Sequence, residues 1–242
     1  MKIIELFSGT ASFSNVCKER GHEIFTVDID KKFNPDLCID ILDFDISMLP
    51  EEFRHPDIVW ASPPCQKFSI MTVYRNWKDG KPKNEETLKA IEIVKKTREI
   101  IKQLNPKYYI IENPRAMLRK QDFMQDLHRD TVTYCQYGLE YQKATDLWNN
   151  LSHTFKPVCS PKSPCHVRAP RGSTSSIQGN IKSPRNTLHY DLSINRYPTG
   201  YRRQSLHPKD MGDSCGWNMA TRRGIVPREL CLEIIKHCEE KQ

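Results

Sequence analysis

Through the first 135 residues, short apolar runs alternate with segments of helical period, and the runs end on residues able to do chemistry. Lys2 to Phe7 reads as a buried strand, followed by the small-residue turn Ser8-Gly9-Thr10-Ala11-Ser12 and a helix over residues 13–20 that Gly21 closes. Ile24 to Ile29 is a second strand ending among the acids Asp28 and Asp30, and a third leads to Asp40-Ile41. Asp57 to Ala61 is a fourth, running into Ser62-Pro63-Pro64-Cys65-Gln66. Leu88, Ile91, Val94, Ile100 and Ile101 recur at helical spacing and predict a helix over 84–104. Lys107 to Glu112 and Thr131 to Cys135 complete the set as fifth and sixth strands. Strands that alternate with helices need crossover connections, so the pattern implies an α/β fold with a doubly wound parallel sheet. Such sheets bind ligands beyond the carboxyl ends of their strands. Gly9, Asp28, Asp40, Cys65 and Glu112 fall at those ends and could line one crevice.

Other classes are excluded by composition. With 242 residues the chain suits one domain carrying a modest insertion. Its nine cysteines are an odd number, scattered along the chain, which is a poor basis for a disulfide framework and favours a reducing, cytoplasmic setting. The opening M-K-I-I-E-L-F is too short for the apolar core of a signal peptide, and no apolar run approaches the roughly 18 residues of a membrane span. The formal net charge of +7 favours an anionic partner such as nucleic acid.

That charge is not evenly spread. Residues 151–203 carry nine Lys and Arg against the single acid Asp191, a local +8 that leaves the remainder at −1. Periodicity is also lost there, and Pro, Ser, Gly and Asn become frequent. The chain therefore divides into a catalytic, cofactor-binding part at 1–150, an irregular basic part at 151–215, and a C-terminal part at 216–242 whose helix, Pro227 to Cys238, returns to the first.

Taken singly, the strand-end residues have plain structural readings. One glycine makes a tight turn, a lone thiol is usually buried, and an acid before Asn-Pro is usually solvated. Taken in order, E-L-F-S-G, T-V-D-I-D, I-D-I, S-P-P-C-Q-K-F-S, E-N-P and Q-Y-G resemble the cytosine-5 DNA methyltransferase family over residues 1–150, with a fainter match at the C-terminus. The pattern is similar to the compact phage and prophage branch.

The resemblance implies a Rossmann-like fold that binds S-adenosylmethionine, with a small, irregular target-recognition region. Phe7, Gly9 and Thr10 would line the methionine end of the cofactor. Asp28 would hold its ribose hydroxyls, with Ile29 beside the adenine and Asp40 and Ile41 at the adenine edge; Pro63 would approach the methyl group. Cys65 would add to carbon 6 of cytosine, Glu112 would protonate ring nitrogen 3, and Asn113 would orient that loop. Gln66, Ser69 and Lys143 would meet the substrate. Residues 67–86, rich in Lys with Tyr74, Arg75 and Trp77, fit the mobile loop that closes over DNA in the family. The basic part at 151–215 occupies the place of the family's DNA reader, with Arg168, Arg171, Arg185, Arg202 and Arg203 as base or phosphate contacts. The implied partner is double-stranded DNA, and the resemblance admits a companion restriction enzyme.

The chain departs from the family at three places. Its turn is G-T-A-S where the family has several glycines. Lys143 and Thr145 stand where two arginines usually follow Q-Y-G. The late Gly-Asn-x-Val-Pro motif is reduced to Gly224-Ile225-Val226-Pro227. His153, Cys159, Cys165 and His166 lie within fourteen residues and form a candidate zinc set, although no C-x-x-C is present and the expectation is thiols without metal. Two other functions share these motifs: methylation of cytosine in structured RNA of the tRNA type, and a non-catalytic DNA-binding or regulatory role on the same fold.

Overall fold

The computed structural model describes residues 1–70, 72–139, 142–165 and 224–241. Strands β1 (Lys2–Leu6), β2 (Glu23–Asp28), β3 (Leu37–Cys38), β4 (Ile58–Ala61), β7 (Tyr108–Pro114), β8 (Arg129–Thr133) and β9 (Ala144–Asn149) form one sheet in the order β3-β2-β1-β4-β7-β9-β8. A separate two-stranded hairpin consists of β5 (Trp77–Lys78) and β6 (Lys81–Pro82). The first five strands of the sheet order run parallel, and β9 is antiparallel to both β7 and β8. The helices are α1 (Ser12–Glu19), the single turn α2 (Val73–Asn76), α3 (Glu85–Leu104) and α4 (Arg228–Glu240).

Both faces of the sheet are covered, which explains why its strands read as continuous apolar runs. Side chains alternate across it. Ile3, Ile58, Trp60 and Ile110 pack on one face against Phe13 and Val16 of α1 and Leu230, Ile234 and Ile235 of α4. Ile4, Leu6, Val59, Ala61 and Ile111 pack on the other against Ala90, Val94, Ile100, Ile101 and Leu104 of α3. The α1 helix ends where the sequence places its stop. Gly21, at φ +82°, donates to the Lys18 carbonyl, and His22 donates back to Cys17, the paired bonds of a Schellman cap. The α3 helix starts on Asn84, whose Oδ1 accepts from the Thr87 N–H (2.9 Å) and hydroxyl (2.7 Å). It stops at Asn105 in the left-handed region, just before Pro106.

The third strand is short and leads to Asp40, as the sequence implies. The structure corrects the sequence reading in two places. The sixth strand is Arg129–Thr133, and Tyr134–Tyr137 form a 3-10 turn instead of extending it. The sheet also gains β9, which makes it mostly rather than wholly parallel. Its Thr145, Asp146 and Asn149 are buried polar residues, so the segment does not read as an apolar strand. Residues 151–165 are irregular but lie on the sheet domain. Leu151 joins the α4 core cluster and its carbonyl accepts from His237 (2.8 Å), while His153 pairs with Glu233 of α4 (3.0 Å). Among the described residues no helix is long and apolar enough to cross a membrane.

Candidate active site

The five chemistry-bearing strand ends sit where β1, β2, β3, β4 and β7 stop, along one edge of the sheet. After β1 the backbone takes left-handed values at Phe7 (φ 60°), Gly9 (φ 47°) and Ala11 (φ 54°), a tight turn that opens directly into α1. This turn is tied to β2, because Asp28 accepts the Gly9 N–H at one carboxylate oxygen and the Asp30 N–H at the other, both at 2.8 Å. The late motif docks on the same turn through the Val226 N–H, 3.3 Å from the Ser12 hydroxyl. The Thr10 and Ser12 hydroxyls are hydrogen-bonded to each other at 3.1 Å. Ile29, the next residue after Asp28, is 65% exposed, unusual for an aliphatic side chain beside a turn of this kind. Asp40 accepts the Leu42 N–H (3.1 Å) and lies 3.4 Å from the Lys89 ammonium. The Ile41 side chain is 5% exposed and belongs to the α3-side core, so its main chain is the part that could meet a ligand.

These groups fit S-adenosylmethionine by their chemistry. A carboxylate at the end of the second strand suits a ribose diol. An exposed aliphatic side chain next to it suits the flat face of adenine. A turn with three left-handed residues leaves backbone close to whatever it cradles.

Strands β4 and β7 are parallel neighbours with Ala61 paired to Ile111, so the Pro63-Pro64-Cys65 loop and Glu112-Asn113 leave the sheet side by side. The Asn113 amide, fully buried, donates to the Pro63 carbonyl at 2.9 Å and joins the two loops. Cys65 is half-buried at the head of a turn in which its carbonyl accepts from Phe68 (3.0 Å) and Ser69 (2.9 Å). Glu112 is 5% exposed, and its Oε1 accepts from the Tyr134 hydroxyl at 2.8 Å and faces the Lys143 ammonium at 3.3 Å. That ammonium also lies over the Tyr134 ring. Tyr134 went unnoticed in the sequence, where it stands one residue before Cys135 and reads as the end of an apolar strand. Thr145, in the place of the family's second arginine, is fully buried, and its hydroxyl has no partner among the described residues.

Beyond Cys65, the segment expected as a mobile loop contains α2 and a tight hairpin turned by Asp79 (φ 49°) and Gly80 (φ 77°), the pair of positive φ values that a two-residue turn demands. Trp77 anchors it, with its indole N–H on the Lys67 carbonyl (2.6 Å) and its ring 5.8 Å from that of Phe68. Gln66, Ile70, Tyr74, Arg75 and Lys78 are exposed on this segment. Arg168, Arg171, Arg185, Arg202 and Arg203 lie outside the described residues, as does His166. The candidate zinc set is corrected: His153 is engaged with Glu233 and packs on His237, away from the thiols, and Cys159 and Cys165 are instead joined by Cys135.

Comparison with known proteins gives these features a family. The model of the C-5 cytosine-specific DNA methylases matches residues 1–142. A protein of Frog virus 3 (isolate Goorha), named "Probable DNA (cytosine-5)-methyltransferase", is 34% identical over 174 residues, covering 68% of this chain and 78% of its own. Among solved structures, an E. coli protein described as a "putative DNA modification methyltransferase encoded within prophage" is 18% identical with a TM-score of 0.42, covering 62% of this chain and 46% of its own. The S. pombe Dnmt2 methyltransferase is 14% identical with a TM-score of 0.40, covering 65% and 52%. The chain thus spans about half the length of these two solved structures. The family model covers more than half of the chain and the viral relative most of its own length, so the chain belongs to the C-5 cytosine-specific DNA methylases, the S-adenosylmethionine-dependent DNA (cytosine-5)-methyltransferases.

Proposed function

We propose that this chain methylates carbon 5 of a cytosine flipped out of duplex DNA, with Cys65 as nucleophile and Glu112 as the acid at ring nitrogen 3. One observation carries the assignment: the hydrogen bond from the buried Asn113 amide to the Pro63 carbonyl, which holds the thiol loop against the carboxylate loop. Carbon 5 of cytosine is a weak nucleophile. Addition of the Cys65 thiolate to carbon 6 breaks the ring's aromaticity and pushes electron density onto carbon 5. A proton held by Glu112 neutralises nitrogen 3 as this happens. The bound cofactor supplies an electrophilic methyl group. Loss of the carbon 5 proton to water then lets Cys65 leave as thiolate, and return of the nitrogen 3 proton to Glu112 restores the neutral aromatic ring.

In this reading Phe7, Gly9 and Thr10 hold the methionine end of the cofactor. Asp28 binds the ribose, Ile29 the adenine face, and Asp40 with the main chain of Ile41 the adenine edge. Pro63 borders the methyl group. Tyr134 and Lys143 fix the orientation of Glu112 and restrict it to one rotamer. A base stacked in a duplex cannot reach a half-buried thiol, so the target must be extruded. The exposed Gln66, Tyr74, Arg75 and Lys78 beside Cys65 supply stacking and phosphate contacts for the opened strand.

The test is methyl transfer by the purified chain to duplex DNA and, separately, to tRNA, together with bisulfite sequencing of DNA from cells that express it. Wild type is expected to modify duplex DNA and to be trapped covalently on a mechanism-based cytosine analogue. Cys65→Ala is expected to retain its fold and cofactor binding and to lose both activities. Persisting methylation by Cys65→Ala overturns the mechanism. Modification of tRNA alone overturns the substrate.

A further inference from the structure

Three thiols that the methylation chemistry does not use converge at the junction between the sheet domain and the basic segment. Cys135 sits in the 3-10 turn after β8, and Cys159 and Cys165 close the irregular stretch that follows β9. The Cys165 Sγ is 3.7 Å from that of Cys135 and 3.6 Å from that of Cys159, and all three sulfurs lie within 4.8 Å of one another. We propose that Cys135, Cys159 and Cys165 bind a structural zinc ion that fastens the start of the basic segment to the catalytic body.

The geometry is that of thiolates around one tetrahedral ion. With zinc–sulfur bonds of about 2.3 Å, two thiolates at the tetrahedral angle stand roughly 3.8 Å apart. A disulfide needs its sulfurs about 2.0 Å apart, and pairing any two of three would leave the third behind. The three sulfurs account for three tetrahedral positions, and the fourth is not assigned to a residue. Tetrahedral sulfur donors select zinc among the common divalent ions.

The surroundings hold the ligands in place without the ion. The Cys159 N–H donates to the fully buried Thr133 hydroxyl at the end of β8 (2.8 Å). Between the two cysteines, the Ser160 N–H donates to the Ser163 hydroxyl (2.9 Å) and the Ser163 N–H returns to the Ser160 carbonyl (2.9 Å). The Gln142 amide reaches the Cys159 carbonyl (3.4 Å), and the Gln136 amide reaches Ser163 (3.4 Å). The turn between the cysteines has little apolar burial of its own: Ser160, Pro161 and Lys162 are exposed. A metal clip supplies the anchoring that a core would otherwise give. Two of these ligands were visible as a sequence cluster, but the third lies 24 residues upstream of Cys159 and only the fold brings it in.

The experiment is elemental analysis of the full chain purified with reductant and without chelator, then incubated with zinc and desalted. About one zinc per chain is expected. Cys159→Ser and Cys165→Ser are expected to fall below about a tenth of an equivalent, while Cys38→Ser, an exposed cysteine elsewhere, keeps the metal. Cobalt in place of zinc should give thiolate-to-cobalt charge-transfer absorption and the visible bands of a tetrahedral site. Chelation of the wild type should lower its melting temperature and speed proteolysis after residue 150, a readout that stands even if a cysteine variant fails to fold. Wild type holding under about a tenth of an equivalent, variants that retain zinc, a brown iron–sulfur chromophore, or a disulfide between two of the three by intact mass would each overturn the proposal.

Discussion

Replacing Arg119 by Met should destabilise the chain through a charge that Arg119 itself does not carry. The guanidinium donates to both oxygens of Asp146, at 2.8 Å from Nε and 2.6 Å from one terminal nitrogen, and that nitrogen also reaches the Thr131 hydroxyl at 2.9 Å. The Asp146 side chain is 0% exposed and that of Arg119 is 21% exposed. Removing one partner of such a pair strands the other as an uncompensated buried charge, at a cost of 3–5 kcal/mol. Because Arg119 reaches solvent, the lower end applies, about 3 kcal/mol, or a melting temperature lowered by roughly 6–12 °C for a domain of this size. The Thr131 hydroxyl, 2.8 Å from Asp146, still satisfies one oxygen in the variant. Replacing both residues, Arg119→Met with Asp146→Leu, removes the stranded charge and should recover most of the loss. The assay is denaturant unfolding of wild type, both single variants and the double. The expected coupling is at least about 1.5 kcal/mol. A loss under about 1 kcal/mol for Arg119→Met, or a double variant whose cost is the sum of the singles, would show that the pair does not hold β9 as argued.

Three further outcomes follow from other buried or strained positions. Glu5 lies beneath α1 with the Ser14 N–H on its carboxylate (2.9 Å), and burial raises its pKa from 4.5 to about 7. A folded pKa above the unfolded one means that stability is fullest below pH 4.5 and is lost as pH rises through 7, by about 3 kcal/mol. Glu5→Gln should remove that slope, so a stability difference from wild type that stays constant between pH 5 and 8 would refute the assignment. Ala11 holds φ 54° without being glycine, a cost of roughly 1 kcal/mol. Ala11→Gly should therefore not lower the melting temperature and should raise it modestly, and a clear drop counts against the strain. Placing the family's second arginine at this position as Thr145→Arg should cost about 3 kcal/mol, because the Thr145 side chain is fully buried and a much larger group overpacks the site. Denaturant unfolding that shows a near-neutral effect would mean the site is more open than described.

The parts of the fold that could be read from sequence are those with local causes. β1, β4 and β7 are buried on both faces and read as apolar runs. The stop of α1 at Gly21 and the start of α3 at Asn84 are written in single residues with specific backbone duties. β9 could not be read, because its buried positions hold Thr145, Asp146 and Asn149, and the last two are satisfied by residues far along the chain, Arg119 and Asp130. The same distinction holds in the site. Cys65 and Glu112 stand in motifs that name themselves, whereas Tyr134 enters only because the turn after β8 folds back on β7. Cys135 was overlooked for the same reason: its partners lie beyond β9. The arginines expected to read DNA fall outside the described residues, so the charge asymmetry of 151–203 stays a property of the sequence.

The departure after Q-Y-G changes what surrounds the Glu112 carboxylate. Two arginines are usual there, and here the positions hold Lys143 and Thr145. The strand alternates, so residues 143 and 145 belong to the same side of β9 while Asp146 turns to the other. Thr145 pairs in register with Pro114 and is fully buried. On that other side the Arg119 guanidinium is paired with Asp146, which stands in register with Asn113. Lys143 is left as the cation on Glu112, at 3.3 Å, with Tyr134 beneath its ammonium and bonded to the same carboxylate oxygen. A lysine holds a carboxylate as a point charge on a flexible stem, without the fork geometry of arginine. The Tyr134 hydroxyl adds the directional contact that a lysine cannot give. The contacts of the Glu112 carboxylate are thus divided between a charge and a hydrogen bond, and the buried Asn113–Pro63 link ties its strand end to the thiol loop. Under the proposed mechanism, Lys143 and Tyr134 would therefore position the acid where the family usually has a pair of arginines.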